Sequence, residues 1–493
     1  VKDTPVHPRR RTPRAPLVTA VLAALGLAAA SLGSGSAAAA PAPEPAPAVT
    51  LWAPASLTVT AYDKHAFTDL GLKLIAGDAP LELWSTRPAY DQLIHTVRRG
   101  PSGDVALPDG AMKDFNSIRR FVTLTITPAN GDPARSVTRK ACLNGWSERV
   151  RPDAPPRSPY PRGCWYNPYS LGSVQGIQAG WAAPFLQQER PLKLAPGSYT
   201  VTATINPAYA APLGLTGDAA TRTIALTVEN GDAPSVGRRV SPTARPAAHR
   251  PSGVTGGQQA GPTPDLRALP AWGIQMARNG NYLNFSATVW NGGDSPLVVD
   301  GFRREGEDLM DAYQYFFDAD GNQTGYQQVG QMHWDPRPTH QHWHFEDFAR
   351  YVLLRADHTE AVRSRKEAFC LANTDAVDQT VPGASWNPEN TDLSTACGDL
   401  GSLSIREVLA SGWGDTYGQF RAGQSFDLKG LPNGTYYVTV IANPDDRLVE
   451  SDTTNNTSFR EVVIGGRPGA RTVTVPPVGL VVEPTYGDGP PVD

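Results

Sequence analysis

Apolar and polar residues alternate over short runs through most of the chain. Ser56–Tyr62, Phe121–Ile126, Tyr199–Ile205, Thr223–Val228, Leu283–Trp290, Tyr351–Arg355, Thr435–Ala442 and Phe459–Ile464 are rich in Val, Thr, Tyr and Phe, and Gly, Pro, Asn or Asp bound them. Period two places alternate side chains on one face of an extended chain, so these runs are predicted strands. Helical spacing is scarce, and Ser402–Ala410 is the stretch that fits a short helix. The strands fall into two blocks, residues 50–230 and 265–465. Residues 231–264 are rich in Pro, Gly, Ser and Arg without apolar periodicity and read as a linker, as does the Pro/Ala spacer Pro41–Pro47. The tail, 466–493, is Pro/Gly-rich, with Thr472–Val475 able to add an edge strand. The prediction is an all-β fold of two antiparallel β-sandwich domains.

Composition narrows the function. With 44 Lys and Arg against 48 Asp and Glu, the net charge is -4, which gives no basic surface for nucleic acid. Cys142, Cys164, Cys370 and Cys397 form two distant pairs. That spacing suits one disulfide per block rather than a four-thiolate metal site. Residues 1–40 carry Arg9, Arg10, Arg11 and Arg14, then an apolar run from Leu17 to Leu32 and the small residues Ala37 to Ala40. This is the pattern of a secretory signal peptide, and no second apolar stretch of about 20 residues follows. The mature chain is therefore expected to lack a transmembrane segment and to work outside the cytoplasm.

The two blocks echo each other. Arg120-Phe121-Val122 before Cys142-Leu143 resembles Arg350-Tyr351-Val352 before Cys370-Leu371. Leu171-Gly172-Ser173 and Gly180-Trp181 resemble Leu400-Gly401-Ser402 and Gly412-Trp413, and the run Leu194–Pro207 resembles Leu431–Pro444. A duplicated domain is the expectation, with two unrelated sandwiches as the alternative.

Distinctive chemistry lies in the second block. His340, His342 and His344 alternate, so a strand presents all three imidazoles on one face. An ideal strand separates the first and last by roughly 13 Å, so the segment must curl to bring them to one ion. Imidazoles suit Cu, Zn, Fe or Ni, and the absence of a nearby cysteine or carboxylate pair leaves coordination positions open for reaction. The competing readings are a surface histidine cluster and a metal hydrolase. His333 reads as a loop residue.

The sequence here resembles the catalytic domain of the lysyl oxidase family, copper amine oxidases with a lysyl tyrosylquinone cofactor. The resemblance rests on the His-x-His-x-His motif followed in order by "FEDFARYVLL", "RKEAFCL", "GWGDTYG" and "NPDDRLVESDTTNN", over Pro264 to Val463. It implies that His340, His342 and His344 bind Cu2+ and that Lys366 and Tyr417 are cross-linked into the quinone. A tyrosine beside a redox metal and O2 can be oxidised to an ortho-quinone, and an uncharged lysine amine can add to that ring. The product is a fixed carbonyl electrophile that condenses with a primary amine. Asp415, two residues before Tyr417, is the candidate base for the carbon proton. Aldehyde, H2O2 and ammonia would be the products, with peptidyl-lysine or another primary amine as substrate.

The pattern departs from the animal enzymes in two places. Thr339 stands where they have a cysteine, and Arg350 where they have a histidine proposed to move protons, which leaves the base open and makes a carboxylate-bearing substrate conceivable. The Ala-, Arg-, Gly- and Pro-rich composition suits a bacterial secreted homologue. The resemblance also implies a structural Ca2+ held by Asp265, the Leu266 carbonyl, Glu450, Asp452, Asn455 and Asn456, oxygen donors of the kind this ion prefers. A solvated hairpin is the alternative. Asp318, Asp320 and Asn322 read as a β-turn. The first block has Phe185 where the second has Tyr417, Thr138 where it has Lys366, and no histidine triplet. It is expected to be catalytically silent and to serve stability or binding of a cell-wall or extracellular protein partner. A copper-binding protein without catalysis is the remaining alternative function.

Overall fold

A computed structural model describes residues 48–484 apart from 63, 165, 166, 187–190, 231–248, 260, 338–340, 365, 367, 390 and 422. The signal segment, the start of the linker and His340 lie outside the described residues. The fold is all-β, and every run predicted as a strand lies within one. The run 402–410 is the exception to the helix expectation: Ser404–Leu409 is a strand. Ile405 and Leu409 lie in the main core of the second block, and Val408 joins a smaller cluster on the other face. Apolar residues on both sides of a two-faced strand blur its period and imitate a helix.

Three sheets build each block. In the first, Val49–Trp52, Lys73–Ala76, Trp181–Pro184 and Glu148–Arg149 are neighbours in that order; in the second, Leu266–Ala268, Tyr282–Asn291, Trp413–Tyr417 and Asp375–Ala376 take the same order. Gly172–Ile177, Leu81–Thr86, His95–Arg99 and Val105–Ala106 are matched by Ser404–Leu409, Leu297–Arg303, Leu309–Phe317 and Gln323–Asp335. The second sheet of the second block then continues through His342–Glu346 to Ala368–Phe369. The third pair of sheets aligns Arg135–Ala141, Ile118–Pro128, Gly197–Ile205 and Thr221–Asn230 with Glu360–Arg363, Ala349–Arg355, Gly434–Ala442 and Thr457–Arg467. Each block has one disulfide, Cys142–Cys164 and Cys370–Cys397.

The local geometry corrects the alignment of two landmarks. Asn206 N donates to the Phe121 carbonyl and Asn443 N to that of Phe348, each at 2.8 Å. Arg120 and Asp347, the residues before those carbonyls, both hold positive φ, 49° and 58°. Arg120-Phe121 thus corresponds to Asp347-Phe348, three residues before Arg350-Tyr351. The strand pairing likewise places Gly172–Ile177 on Ser404–Leu409, so Leu400-Gly401-Ser402 lies before the strand rather than at its start. Gly180-Trp181 and Gly412-Trp413 agree as expected, each glycine at positive φ.

Asn167 to Val174 of the first block runs along Asp375 to Gln379 of the second. Leu171 N donates to the Val377 carbonyl at 2.7 Å, Ser170 Oγ to the Ala376 carbonyl at 2.7 Å, and Val174 N to Gln379 Oε1 at 3.0 Å. Trp386 packs against Trp84 and Tyr160 of the first block with ring centroids 5.5 and 5.7 Å away. The region between the blocks is not wholly irregular, since Thr255–Gly257 pairs with strand 323–335. The tail adds the strand Ala470–Thr474 and then reaches the first block, where Leu480 N donates to the Tyr90 carbonyl. Among the described residues no helix is long and apolar enough to cross a membrane.

At Gly172 the two blocks leave no room for a side chain, because a Cβ there would overlap Asp378 Oδ1 and Thr380 Oγ1. Gly172→Ala is expected to cost about 1–3 kcal/mol through overpacking. Urea denaturation followed by tryptophan fluorescence should show this as an earlier single transition; an unchanged midpoint would mean that the contact yields freely.

Candidate amine-oxidising site

Strands 323–335 and 342–346 pair so that His333 lies opposite His344 and Asp335 opposite His342. Alternation brings His342 and His344 to one face, with their Nε2 atoms 2.9 Å apart and ring centroids 4.6 Å apart. His344 is buried, and Asp335 Oδ2 lies 3.6 Å from its Nδ1. A carboxylate behind a ligating imidazole fixes its orientation and raises its basicity, and Asp335 is itself held by Arg337. Two imidazole nitrogens converging on one point fit a Cu2+ ion. The third expected ligand, His340, is outside the described residues, and among the described ones no group of three or more His, Cys, Asp or Glu forms a metal site. His333 is a strand residue rather than a loop residue. Its ring centroid is 5.8 Å from that of His344, and its Nδ1 is 2.9 Å from Glu346 Oε1, a bond that holds the Glu346 carboxyl below its ordinary range.

Strand 368–369 pairs Phe369 with Phe345, next to His344, and so brings Lys366 to the same neighbourhood. Lys366 Nζ stands 4.4 Å from the centroid of the Tyr417 ring and 5.3 Å from that of Phe369. Burial lowers the Lys366 pKa to about 8, with Asp415 opposing the fall. Asp415 and Tyr417 alternate on strand 413–417 and therefore share a face. Burial lifts both groups, Asp415 well above the carboxylate range and Tyr417 well above 10.

Two successive backbone amides hold buried side chains here. Cys370 N donates to Tyr417 Oη at 2.8 Å, and that hydroxyl donates back to the Cys370 carbonyl at 3.2 Å. Leu371 N donates to Glu407 Oε2 at 2.9 Å. Glu407 and Asp415 each keep one buried carboxyl oxygen without a partner among the described residues. The sequence reading missed Glu407, although a charged residue alternating with Ile405 and Leu409 is the signal that reveals it once the segment is extended. It also missed Asn167, which crosses from the first block and donates to Thr288 Oγ1 and Asp375 Oδ2 at 2.8 Å each. Thr416 Oγ1, between Asp415 and Tyr417, is bonded to both Thr288 and Asp375.

Arg350 is paired with Asp445 at 2.9 Å. The influences on Asp415 come instead from burial, then Lys366 and Asp375. At the expected calcium site, Asn455 Nδ2 donates to Asp265 Oδ1 at 3.0 Å and Asp452 Oδ2 at 3.2 Å, and Asn456 Nδ2 donates to Glu450 Oε1 at 2.7 Å. Leu266 contributes its N–H, to Glu450 Oε2 at 2.8 Å. The Oδ1 atoms of Asn455 and Asn456 are buried without partners among the described residues, which fits a hard cation, while Arg267 already balances Asp265. Asp318 forms a turn, with its Oδ1 accepting from the amides of Asp320 and Asn322.

Residues 316–469 match the family described as lysyl oxidase. Lysyl oxidase homolog 2 of Bos taurus is 26% identical over 192 residues, 39% of this chain and 21% of its own. Lysyl oxidase homolog 4 of Mus musculus is 28% identical over 129 residues, 26% of this chain and 15% of its own. Lysyl oxidase homolog 3A of Danio rerio is 30% identical over 129 residues, with the same shares. The chain thus spans only 15% to 21% of the length of these relatives. The matched stretch includes strand 342–346 with His342 and His344, together with Lys366, Asp415 and Tyr417.

The buried ammonium gives a stability signature. The Lys366 pKa is about 8 in the folded chain against 10.5 for a free lysine, so the folded state binds fewer protons between those values and stability climbs with pH across them. In metal-free protein Lys366→Met is expected to raise the unfolding free energy at neutral pH by up to roughly 3 kcal/mol. The gain should fade as pH rises toward 10.5. Urea unfolding at both ends of the window checks this; an equal gain at both would contradict it.

Proposed function

We propose that the protein is an extracellular copper-dependent amine oxidase that converts peptidyl-lysine or another accessible primary amine to an aldehyde, with H2O2 and ammonia released. The observation that carries the reading is the Lys366 amine over the Tyr417 ring, with Tyr417 against Phe369 and Phe369 paired to Phe345 on the strand of the converging imidazoles His342 and His344. His340, His342 and His344 would hold the copper. A lysyl tyrosylquinone joining Lys366 to Tyr417 would supply a carbonyl electrophile for the substrate nitrogen, and O2 would serve as oxidant.

The chain's own residues prepare this chemistry. Burial of Lys366 brings its pKa near neutrality, so a usable fraction of the amine is uncharged and nucleophilic. The Cys370 amide and carbonyl fix the Tyr417 hydroxyl, which sets which ring edge meets Lys366. Phe369, edge-on to Tyr417 with centroids 5.0 Å apart, limits water and ring rotation. Asp415, raised by burial and with a buried oxygen that has no partner among the described residues, is suited to take the proton from the substrate carbon. A structural Ca2+ at Asp265, Glu450, Asp452, Asn455 and Asn456 would tie the start of the second block to its end.

We further infer that the two blocks arose by duplication, a reading supported by their common strand order, and that the first is catalytically silent. Phe185 is buried against Phe121 and has no phenol to oxidise. Thr138 lies on an exposed part of its strand, unlike buried Lys366, so the correspondence fails locally at that position.

Copper-loaded, air-exposed protein is expected to form a coloured adduct with phenylhydrazine and to oxidise a primary amine. Tyr417→Phe should abolish both while retaining copper. Amine oxidation without any adduct would remove the quinone, and copper binding without either would favour a non-catalytic metal protein.

A further inference from the structure

Asn167 belongs to the first block, but its side chain ends in the interior of the second. The side chain is buried, and the first block itself fixes which way the amide faces, because Oδ1 accepts from Tyr169 N at 2.9 Å. Both hydrogens of Nδ2 then point into the second block, one to Thr288 Oγ1 and one to Asp375 Oδ2, each at 2.8 Å. Thr416 closes a ring with these two: its Oγ1 donates to Asp375 Oδ2 at 3.1 Å and lies 2.7 Å from Thr288 Oγ1. Each hydroxyl proton is used once. Thr416 gives its proton to Asp375 and so accepts from Thr288, while Thr288 accepts from Asn167 and from Trp272 Nε1. The other carboxyl oxygen of Asp375 accepts from Thr374 Oγ1 at 2.6 Å.

Adhesion of the blocks does not account for this side chain. The seam is already laced by Leu171 N to the Val377 carbonyl and Ser170 Oγ to the Ala376 carbonyl, each at 2.7 Å. Asn167 instead joins neighbouring strands of one sheet: Thr288 lies on strand 282–291, Thr416 on strand 413–417 and Asp375 on strand 375–376, in that spatial order. Thr288 and Thr416 are direct partners in the ladder. The middle strand carries Asp415 and Tyr417 on the face opposite Thr416. Burial raises the Asp375 pKa, and bonds from Thr374, Asn167 and Thr416 oppose the rise. The charged group that feels Asp375 is Asp415, across the strand.

We propose that Asn167 is a positioning residue of the amine-oxidising site, supplied by the first block: by holding Thr288 and Asp375 together behind Thr416, it fixes the strand that presents Asp415 and Tyr417. A buried hydrogen-bond ring with every member satisfied admits a single arrangement. Asparagine is the residue type that this ring requires. It brings two donors to two acceptors, whereas aspartate would bring a second carboxyl against that of Asp375. The purpose given to the strand's position rests on the amine oxidase reading, but the hold on strand 413–417 does not.

Hydrogen–deuterium exchange of the metal-free full chain, read on the peptide spanning residues 413–417, tests the hold. N167A is expected to speed exchange of this peptide about tenfold over the parent, the size of a lost bond to a charged group, and by the same ratio at every pH. In N167D the ratio should climb with pH, because two adjacent carboxyls share one proton in acid and repel once it is lost. T416V opens the same ring from within the second block at nearly constant shape, so the N167A/T416V double variant should exchange little faster than the more affected single one. Parental exchange in N167A, an N167D ratio that ignores pH, or single-variant ratios that multiply in the double variant each overturn the proposal. If N167A does not fold, T416V carries the test, and parental exchange in T416V overturns it. Copper-loaded, air-exposed N167A should bind copper as the parent does yet form the quinone chromophore about tenfold more slowly; an equal rate removes the positioning role. A parent protein that forms no chromophore would remove the amine oxidase reading while leaving the exchange result to stand or fall separately.

Discussion

Two consecutive amides hold the site together. From one short segment, the N–H groups of Cys370 and Leu371 reach Tyr417 and Glu407 in turn. The Cys370–Cys397 disulfide ties this segment to the approach to strand 404–409, and the pairing of Phe369 with Phe345 ties it to the histidine strand. A shift of one residue in that segment would move the amides off both side chains and take Lys366 away from the Tyr417 ring. Buried polar groups of this kind are costly when unpaired, so the arrangement is strongly selected for a single register.

Much of this was legible in the sequence. Strands with clean alternation, such as Leu283–Trp290 and Thr435–Ala442, lie where the pattern puts them, because one of their faces meets a core. Residues 402–410 misled because apolar residues occupy both faces of that strand, and with the strand went the chance to see Glu407 as a charge among core positions. The likeness of the blocks was legible where glycine is needed for positive φ, as at Gly180 and Gly412. It slipped by three residues at Arg120 and Asp347, where a non-glycine residue takes the same conformation and leaves no mark in the sequence. Lys366 and Tyr417 became visible through family motifs rather than through any property of a lone lysine or tyrosine.

Contact between the blocks explains why the first is more than an attached module. Asn167 satisfies Asp375, whose pKa burial raises, and Asp375 in turn bonds Thr416 between Asp415 and Tyr417. Where strand 404–409 of the second block carries buried Glu407, strand 172–177 of the first carries buried Gln175. A buried amide avoids the desolvation cost of a buried charge. Both blocks share the bonds that define their strands, such as Tyr199 Oη to the Ala195 carbonyl and Tyr436 Oη to the Pro432 carbonyl, each 2.7 Å.

The central claim is that Lys366 and Tyr417 react with each other. Tryptic mapping of copper-loaded, oxygen-exposed protein measures this directly. The account expects the peptides carrying the two residues to appear as one cross-linked species that is missing from the metal-free protein. Recovery of both peptides separate and unmodified from a preparation that oxidises amines would contradict it.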